Sequence, residues 1–229
     1  RRDSRYYEAC FHSHLADNLA RQGYEIEASK RGWEIAGIKR ETLEKFSARS
    51  KEIEDKAKEK EAKLGRKLSA KERDGLAAQT RSKKAKDIPY ADLQAEWAQR
   101  LNVLEQEAIL TAYTERDSSR YQEQGQAREA SGDQAMEHAL SHCLERKSVV
   151  REKELLATAI KHSLGRSTVG DIKRSLDLQE DVLRGREKSG QMMVSTVAVK
   201  REEQEMVGFA EKSKGSCQAL NDEAAEYEF

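Results

Sequence analysis

The run His12-Ser13-His14, followed by Asn18, has the residue types of a metal or catalytic cluster. Its surroundings read as helix, where residues two apart point about 200° away from each other, so these imidazoles do not share an ion. His138 and His142 are four apart and do share a helix face, which would seed a zinc site. The sequence places no third ligand beside them, and a surface or capping role is the better reading. Gly165-Arg-Ser-Thr-Val-Gly170 has the glycine spacing of a phosphate loop. Asp171 and Ile172 then stand where that loop needs lysine and a hydroxyl, and a carboxylate there repels phosphate. A turn between helices explains these glycines better. Tyr6 and Tyr7 are adjacent phenols; a tyrosine nucleophile needs a base or metal beside it, and no neighbour in sequence supplies one. Tyr7 also fits an apolar stripe, so packing is the expectation.

Two basic sets remain as candidate DNA contacts. Arg81, Lys83, Lys84 and Lys86 sit at an expected helix end, where cations complement the dipole or meet phosphates. Lys173 and Arg174 lie on an expected recognition helix, with Arg184, Arg186 and Lys188 on a wing beyond it. The whole chain gives no electrostatic steering, because Lys plus Arg and Asp plus Glu are 42 each in 229 residues. The charge is distributed unevenly: basic residues exceed acidic ones from Lys39 to Lys86, and Asp87 to Arg146 is acidic without a lysine. Such blocks are either an interaction footprint or two solvated helical faces.

The elements that would position these residues are mainly helical. Charged residues make up 37% of the chain, and Pro89 is the single proline. This favours long solvated helices over a compact sheet. Residues 3–22 read as a helix whose stripe is Tyr7, Phe11, Leu15 and Leu19, stopped by Gly23. Alternating runs at 24–28 and 33–38, joined by a loop with Gly32, predict a hairpin. One long charged helix is expected over 41–64, with apolar positions too sparse for a good coiled coil. Ser69 with Glu72 is a capping-box pattern opening a helix to about 84. Asp87 is the expected cap of a helix carrying Leu93, Trp97 and Leu101, followed by a helix over 105–116.

Residues 117–132 are polar and read as a linker. Beyond it the expected order is a helix (133–146), a short strand (148–150), a helix (151–163), a turn at Gly165 and a helix capped by Thr168 and Asp171. Extended runs at 181–186 and 191–197 come next, then a helix over 198–212. That is the order of a winged helix. Three widely spaced cysteines fit a reducing compartment, and no apolar run reaches the ~18 residues of a membrane span. A chain that begins at Arg1 inside a helical pattern reads as a fragment or a processed piece.

The stretch YYEACFHSHLADNLARQGYEIEASKRGWEIAGI (6–38) resembles the late part of the relaxase domain in MobF-type conjugative relaxases, the TrwC/TraI group. FSARSKEIE (46–54), AAQTRSKK (77–84) and DLQAEWAQRL (92–101) continue the resemblance in order. HALSHCLERKSVVREKELLATAIKHSLG (138–165) and GQMMVSTVAVKREEQEMVGFAEKSKG (190–215) resemble the lead-in to the helicase part. The resemblance implies a family that nicks one strand at a plasmid transfer origin with a tyrosine and a histidine-bound divalent metal. The full-length form then unwinds DNA with ATP.

In that family the nicking tyrosine and metal histidines lie earlier in the chain and the Walker A loop later, so no catalytic residue, metal or cofactor is assigned here. The expectation is an α+β chain, mainly α with small hairpins. Residues 1–116 would be the end of a relaxase domain, 133–215 a winged-helix-like region and 216–229 an acidic tail. Its partners would be single-stranded DNA and the other relaxase and helicase domains, in a bacterial cytoplasm. The alternative is a helical scaffold in which the charged helix mediates association without nucleic acid.

Overall fold

The structure is a computed structural model that describes residues 3–29, 32–79 and 88–216. It divides into two compact units, one of Arg1–Trp33 with Ser118–Phe229 and one of Glu34–Asp117. Helix α1 (Ser4–Arg21) and the hairpin β1 (Ile26–Ser29) and β2 (Gly32–Ile35) open the chain. Helices α2 (Arg40–Phe46), α3 (Ala48–Leu64), α4 (Ala70–Gln79), α5 (Tyr90–Gln99) and α6 (Val103–Thr114) succeed them. Then come α7 (Ser119–Glu123), α8 (Gly125–Leu144), β3 (Val150–Arg151), α9 (Glu152–His162) and α10 (Val169–Leu178). Strands β4 (Val182–Arg186) and β5 (Met192–Thr196) and helix α11 (Val197–Ser213) complete it.

In the first unit α1, α8, α9 and α10 enclose a core of Ala9, Ala135, Met136, Ala139, Leu155, Ile160, Ile172 and Leu176. A three-stranded antiparallel sheet, ordered β3-β5-β4, adds the buried Val150 and Val194, which are register partners. The buried face of α1 is Ala9, Ser13 and Ala16. This overturns the expected stripe: Tyr7, Phe11 and Leu15 are 59%, 63% and 39% exposed. Alanine and serine let the axis of α1 approach α9 closely, and the bulky side chains are left on the far side.

The stretch 117–132, expected as a linker, is helical in α7 and the first turns of α8. Its polar residues have partners: Tyr121 donates to Asp17 on α1, and Arg21 and Arg128 lie over the Tyr121 ring at 4.7 and 3.9 Å. Gly132 lies so close to α10 that a Cβ would stand 3.3 Å from Asp171 Cβ. Gly165 turns the chain at φ 81°, where a Cβ would meet Ile26 at 3.0 Å and Trp33 at 3.2 Å. It is a turn glycine packed on the hairpin, and Trp33 Nε1 donates to the His12 carbonyl at 3.0 Å beside it. The Thr168–Asp171 capping box forms as expected, with Thr168 N to Asp171 Oδ2 at 2.9 Å and Asp171 N to Thr168 Oγ1 at 3.1 Å.

In the second unit the expected helix over 41–64 is broken at Ser47 into α2 and α3. Gly65, left-handed at φ 65°, ends α3, and α4 returns against it through Ala57, Leu68 and Leu76. Of the sparse apolar positions of the charged helix, Ala57 is the one buried in this contact, while Phe46 and Leu64 are exposed. The Ser69–Glu72 capping box is present, with Ser69 N to Glu72 Oε2 at 2.8 Å. Glu105 closes a second box with Asn102 and also clamps α6 to α2, accepting from Lys45 Nζ at 2.6 Å. Asp87, Arg81, Lys83, Lys84, Lys86, the hairpin residues Lys30 and Arg31, and the tail from Cys217 onward lie outside the described residues.

His138 on α8 stacks on His142 at 5.8 Å and on His162 of α9 at 4.0 Å. His162 is the third imidazole that spacing alone did not find. Stacked rings point their nitrogens side by side rather than at a common centre, and among the described residues no group of three ligands is arranged to hold a metal. Cover by its neighbours, then the charges of His138 and Arg166, lower the His162 pKa below its ordinary 6.5. The folded state therefore binds this proton less readily than the unfolded chain. The stabilisation is full above about pH 6.5 and is lost as pH falls through the depressed value. Urea midpoints should fall between about pH 7.5 and about pH 5, and His162→Gln should flatten that slope. A separate check of the α1 face is Ala9→Leu, which should cost about 1–3 kcal/mol by overpacking, while Phe11→Ser stays within about 0.5 kcal/mol.

Candidate nucleic-acid interface

Two of the five cations expected on the recognition helix and wing, Arg174 and Arg184, are committed to ion pairs. Arg174 on α10 pairs with Glu129 and, at 2.8 Å, with Asp171. Arg184 on β4 pairs with Asp177 at 2.7 Å and lies 3.8 Å from Glu152. Arg186 donates to the Gly190 carbonyl at 3.1 Å, tightening the hairpin turn, while Lys173 and Lys188 are exposed. From Val169 to Thr196 five cations face five carboxylates in sequence. That surface has no net charge with which to collect phosphates.

Positive charge gathers elsewhere in the same unit. The start of α1, the end of α8, β3 and one side of α9 line a basin of about 870 Å³. Its cations are Arg5, Arg146, Lys147, Arg151, Lys153 and Lys161, against the carboxylates Asp3, Glu145 and Glu154, a net of +3. No local spacing announces this set, because it joins residues 3–6 to residues 142–161. The signal available was the basic run Arg146–Lys147, Arg151 and Lys153, but only the fold brings α1 to it.

The basin floor is an ion-pair network. Lys153 Nζ donates to Asp3 Oδ2 at 2.7 Å, and this bond, with the nearby cationic charge, lowers the Asp3 pKa. Lys147 Nζ donates to Glu154 Oε1 at 2.7 Å, which lowers the Glu154 pKa in the same way. Arg151 lies 3.6 Å from Asp3 and 3.7 Å from Glu154, and its Nη1 is shut off from solvent with no hydrogen-bond partner among the described residues. That Nη1 is the atom 3.6 Å from Asp3 Oδ1, so its partner is the Asp3 carboxylate by charge, and the cations open to an incoming anion are those at the rim. Arg5, Arg146 and Lys161 are exposed at the rim.

Two tyrosines border this network. Tyr6 lines the basin half-buried, and burial, followed by the Cys10 thiol beside it, pushes its pKa to about 12. Tyr7 points out, with its hydroxyl 3.2 Å from Lys153 Nζ and the ammonium 5.1 Å from its ring centroid. Packing in the core, the expectation for Tyr7, belongs instead to Tyr6. Asp3 and Tyr7 raise the Lys153 pKa, so the group beside the phenol is a held cation. An ammonium with a raised pKa is a poor proton acceptor, and the pair is suited to binding an anion rather than to activating a nucleophile. Phe11, one turn along α1, continues the exposed aromatic edge.

Among the described residues no helix is long and apolar enough to cross a membrane. No curated protein and no solved structure matches the chain. The TrwC relaxase family model does match, over residues 1–104, which include the α1 side of the basin and end before its α8–α9 side. The match supports a relaxase-related role in conjugation. Residues 1–104 are thus similar to the TrwC relaxase family.

Proposed function

We propose that this chain holds single-stranded DNA for a conjugative relaxase, with the sugar-phosphate strand in the α1–α9 basin and bases against Tyr7 and Phe11. The observation that carries this reading is the convergence of six cations beside two exposed aromatic rings, on a unit that begins in a relaxase-type segment. Single strands are held by that combination, because phosphates need cations and every base offers a face for stacking. The wing residues proposed from the sequence take a smaller part, since residues 169–196 carry as many carboxylates as cations while the basin lining has a net charge of +3. We further propose that residues 125–196 are a winged-helix unit, on the support of the order α8-β3-α9-α10-β4-β5 and the sheet order β3-β5-β4. Its part here is to present α8 and α9 to α1, and so to join the relaxase segment to the end of the chain.

Anisotropy of a labelled thymidine oligonucleotide, titrated with the full chain at several salt concentrations, tests the reading. Binding should weaken steeply with salt. Reversing Arg146 and Lys161 to Glu should cost at least about tenfold in affinity and flatten the salt slope, each lost phosphate contact being worth about 0.7 in that slope. Tyr7→Ala should cost about 1–3 kcal/mol of stacking. Reversing Arg186 and Lys188 should change affinity by less than about threefold. If the wing pair matters and the basin pair does not, the strand lies on the wing and the proposed site is wrong.

A further inference from the structure

A row of three exposed imidazoles ends at the basin. The His138 ring lies between that of His142, 5.8 Å away, and that of His162 on α9, 4.0 Å away. His142 is the member of the row that lines the basin, and it stands in the last turn of α8, where helix carbonyls favour a cation. Arg146 follows one turn on along the same face of α8, with Glu145 beside it. Lys161 and Glu154 come from α9, Arg151 from β3, and Asp3, Arg5 and Tyr6 from α1.

Imidazole is the side chain whose charge ordinarily changes near neutral pH, whereas lysine and glutamate ordinarily titrate far from it. Several of the groups around His142 are fixed in charge by their own contacts. The Lys153 and Lys147 ammonium groups lower the pKa values of Asp3 and Glu154, which therefore stay ionised. Asp3 in turn raises Lys153, and burial pushes the Tyr6 phenol to about 12. The Cys143 thiol donates to Thr158 at 3.5 Å. At the closed end of the row, cover and the charges of His138 and Arg166 lower His162. Like charges on adjacent rings repel, so the row charges first with a single proton. The basin's net +3 opposes that proton on His142 while the basin is empty, and a phosphate reverses the sign of the local field.

We infer that the basin takes up a proton on His142 as it binds a phosphate-bearing strand, and so holds the strand more tightly as pH falls. The inference rests on the DNA reading and adds the regulation of that site. Linkage is reciprocal: whatever the anion does for the proton, the proton does for the anion. If the anion raises the imidazole pKa by about one unit, affinity gains about three- to fivefold between about pH 7.5 and about pH 6.

The full chain with the labelled thymidine oligonucleotide tests this, because neither thymine nor a phosphodiester changes charge over that range. At constant salt the three- to fivefold rise should appear, and His142→Gln should reduce it to less than about 1.5-fold. His14→Gln, which removes an exposed imidazole of α1 outside the basin, should keep the whole rise. Calorimetry of the unaltered chain in two buffers of different ionisation enthalpy counts protons directly. It should find a few tenths of a proton taken up per strand bound near about pH 6.5. The inference is overturned if affinity does not change with pH, if His142→Gln keeps the rise, or if no proton is taken up. Binding that is independent of pH leaves the DNA reading standing, whereas absence of binding at every pH overturns both.

Discussion

The close approach of α1 to α9 is the contact on which the first unit depends. Ala9, Ser13 and Ala16 present almost no side-chain volume, so α1 lies down on the helices that begin more than a hundred residues later in the chain. That approach brings Asp3, Arg5 and Tyr6 against Arg151 and Lys153, and the basin exists because of it. It also decides which tyrosine is inside. Tyr6 turns toward the core and Tyr7 toward solvent, because the small-residue face fixes the rotation of the helix. A bulky residue at Ala9 would push apart the helix pair and with it the two sides of the site.

Local features were readable from the residues alone. Ser69 with Glu72 and Thr168 with Asp171 announce helix starts because the partners are three residues apart and the bond is local. The glycine stops and the β4–β5 hairpin are readable for the same reason. The face of α1 was not, because Tyr7, Phe11 and Leu15 give a strong apolar period and alanine gives a weak one. Polarity at 117–132 looked like a linker, yet Tyr121 finds Asp17 on α1, a partnership of sequence separation 104 that no window contains. The break at Ser47 had no signal of comparable strength in the sequence. The basin was invisible for the reason that the sheet order was: both are made by residues distant in the chain.

Electrostatics then decides between two surfaces that look alike by their cations. Helix α10 and strand β4 carry Arg174 and Arg184, but carboxylates within the same unit pair with both. Around the basin the carboxylates are outnumbered, three against six cations, and Arg5, Arg146 and Lys161 are exposed at its rim. A chain with no net charge can still offer phosphate a favourable place, because only charges within about a Debye length matter. The same arrangement disfavours nucleophilic chemistry at Tyr7, whose neighbour is a cation held by Asp3.

Helix α1, which opens the relaxase-type segment, is an integral part of the helical unit formed by the end of the chain, and the basin stands or falls with that. Native-state hydrogen exchange across a denaturant series measures it directly, because amides that open together share an opening free energy and denaturant slope. The buried-face amides of α1 should converge with those of α8, α9 and α10 on one opening reaction. If α1 instead exchanges at much lower cost, or converges with α2 and α3, the unit is not built in this way and the basin it forms has no basis.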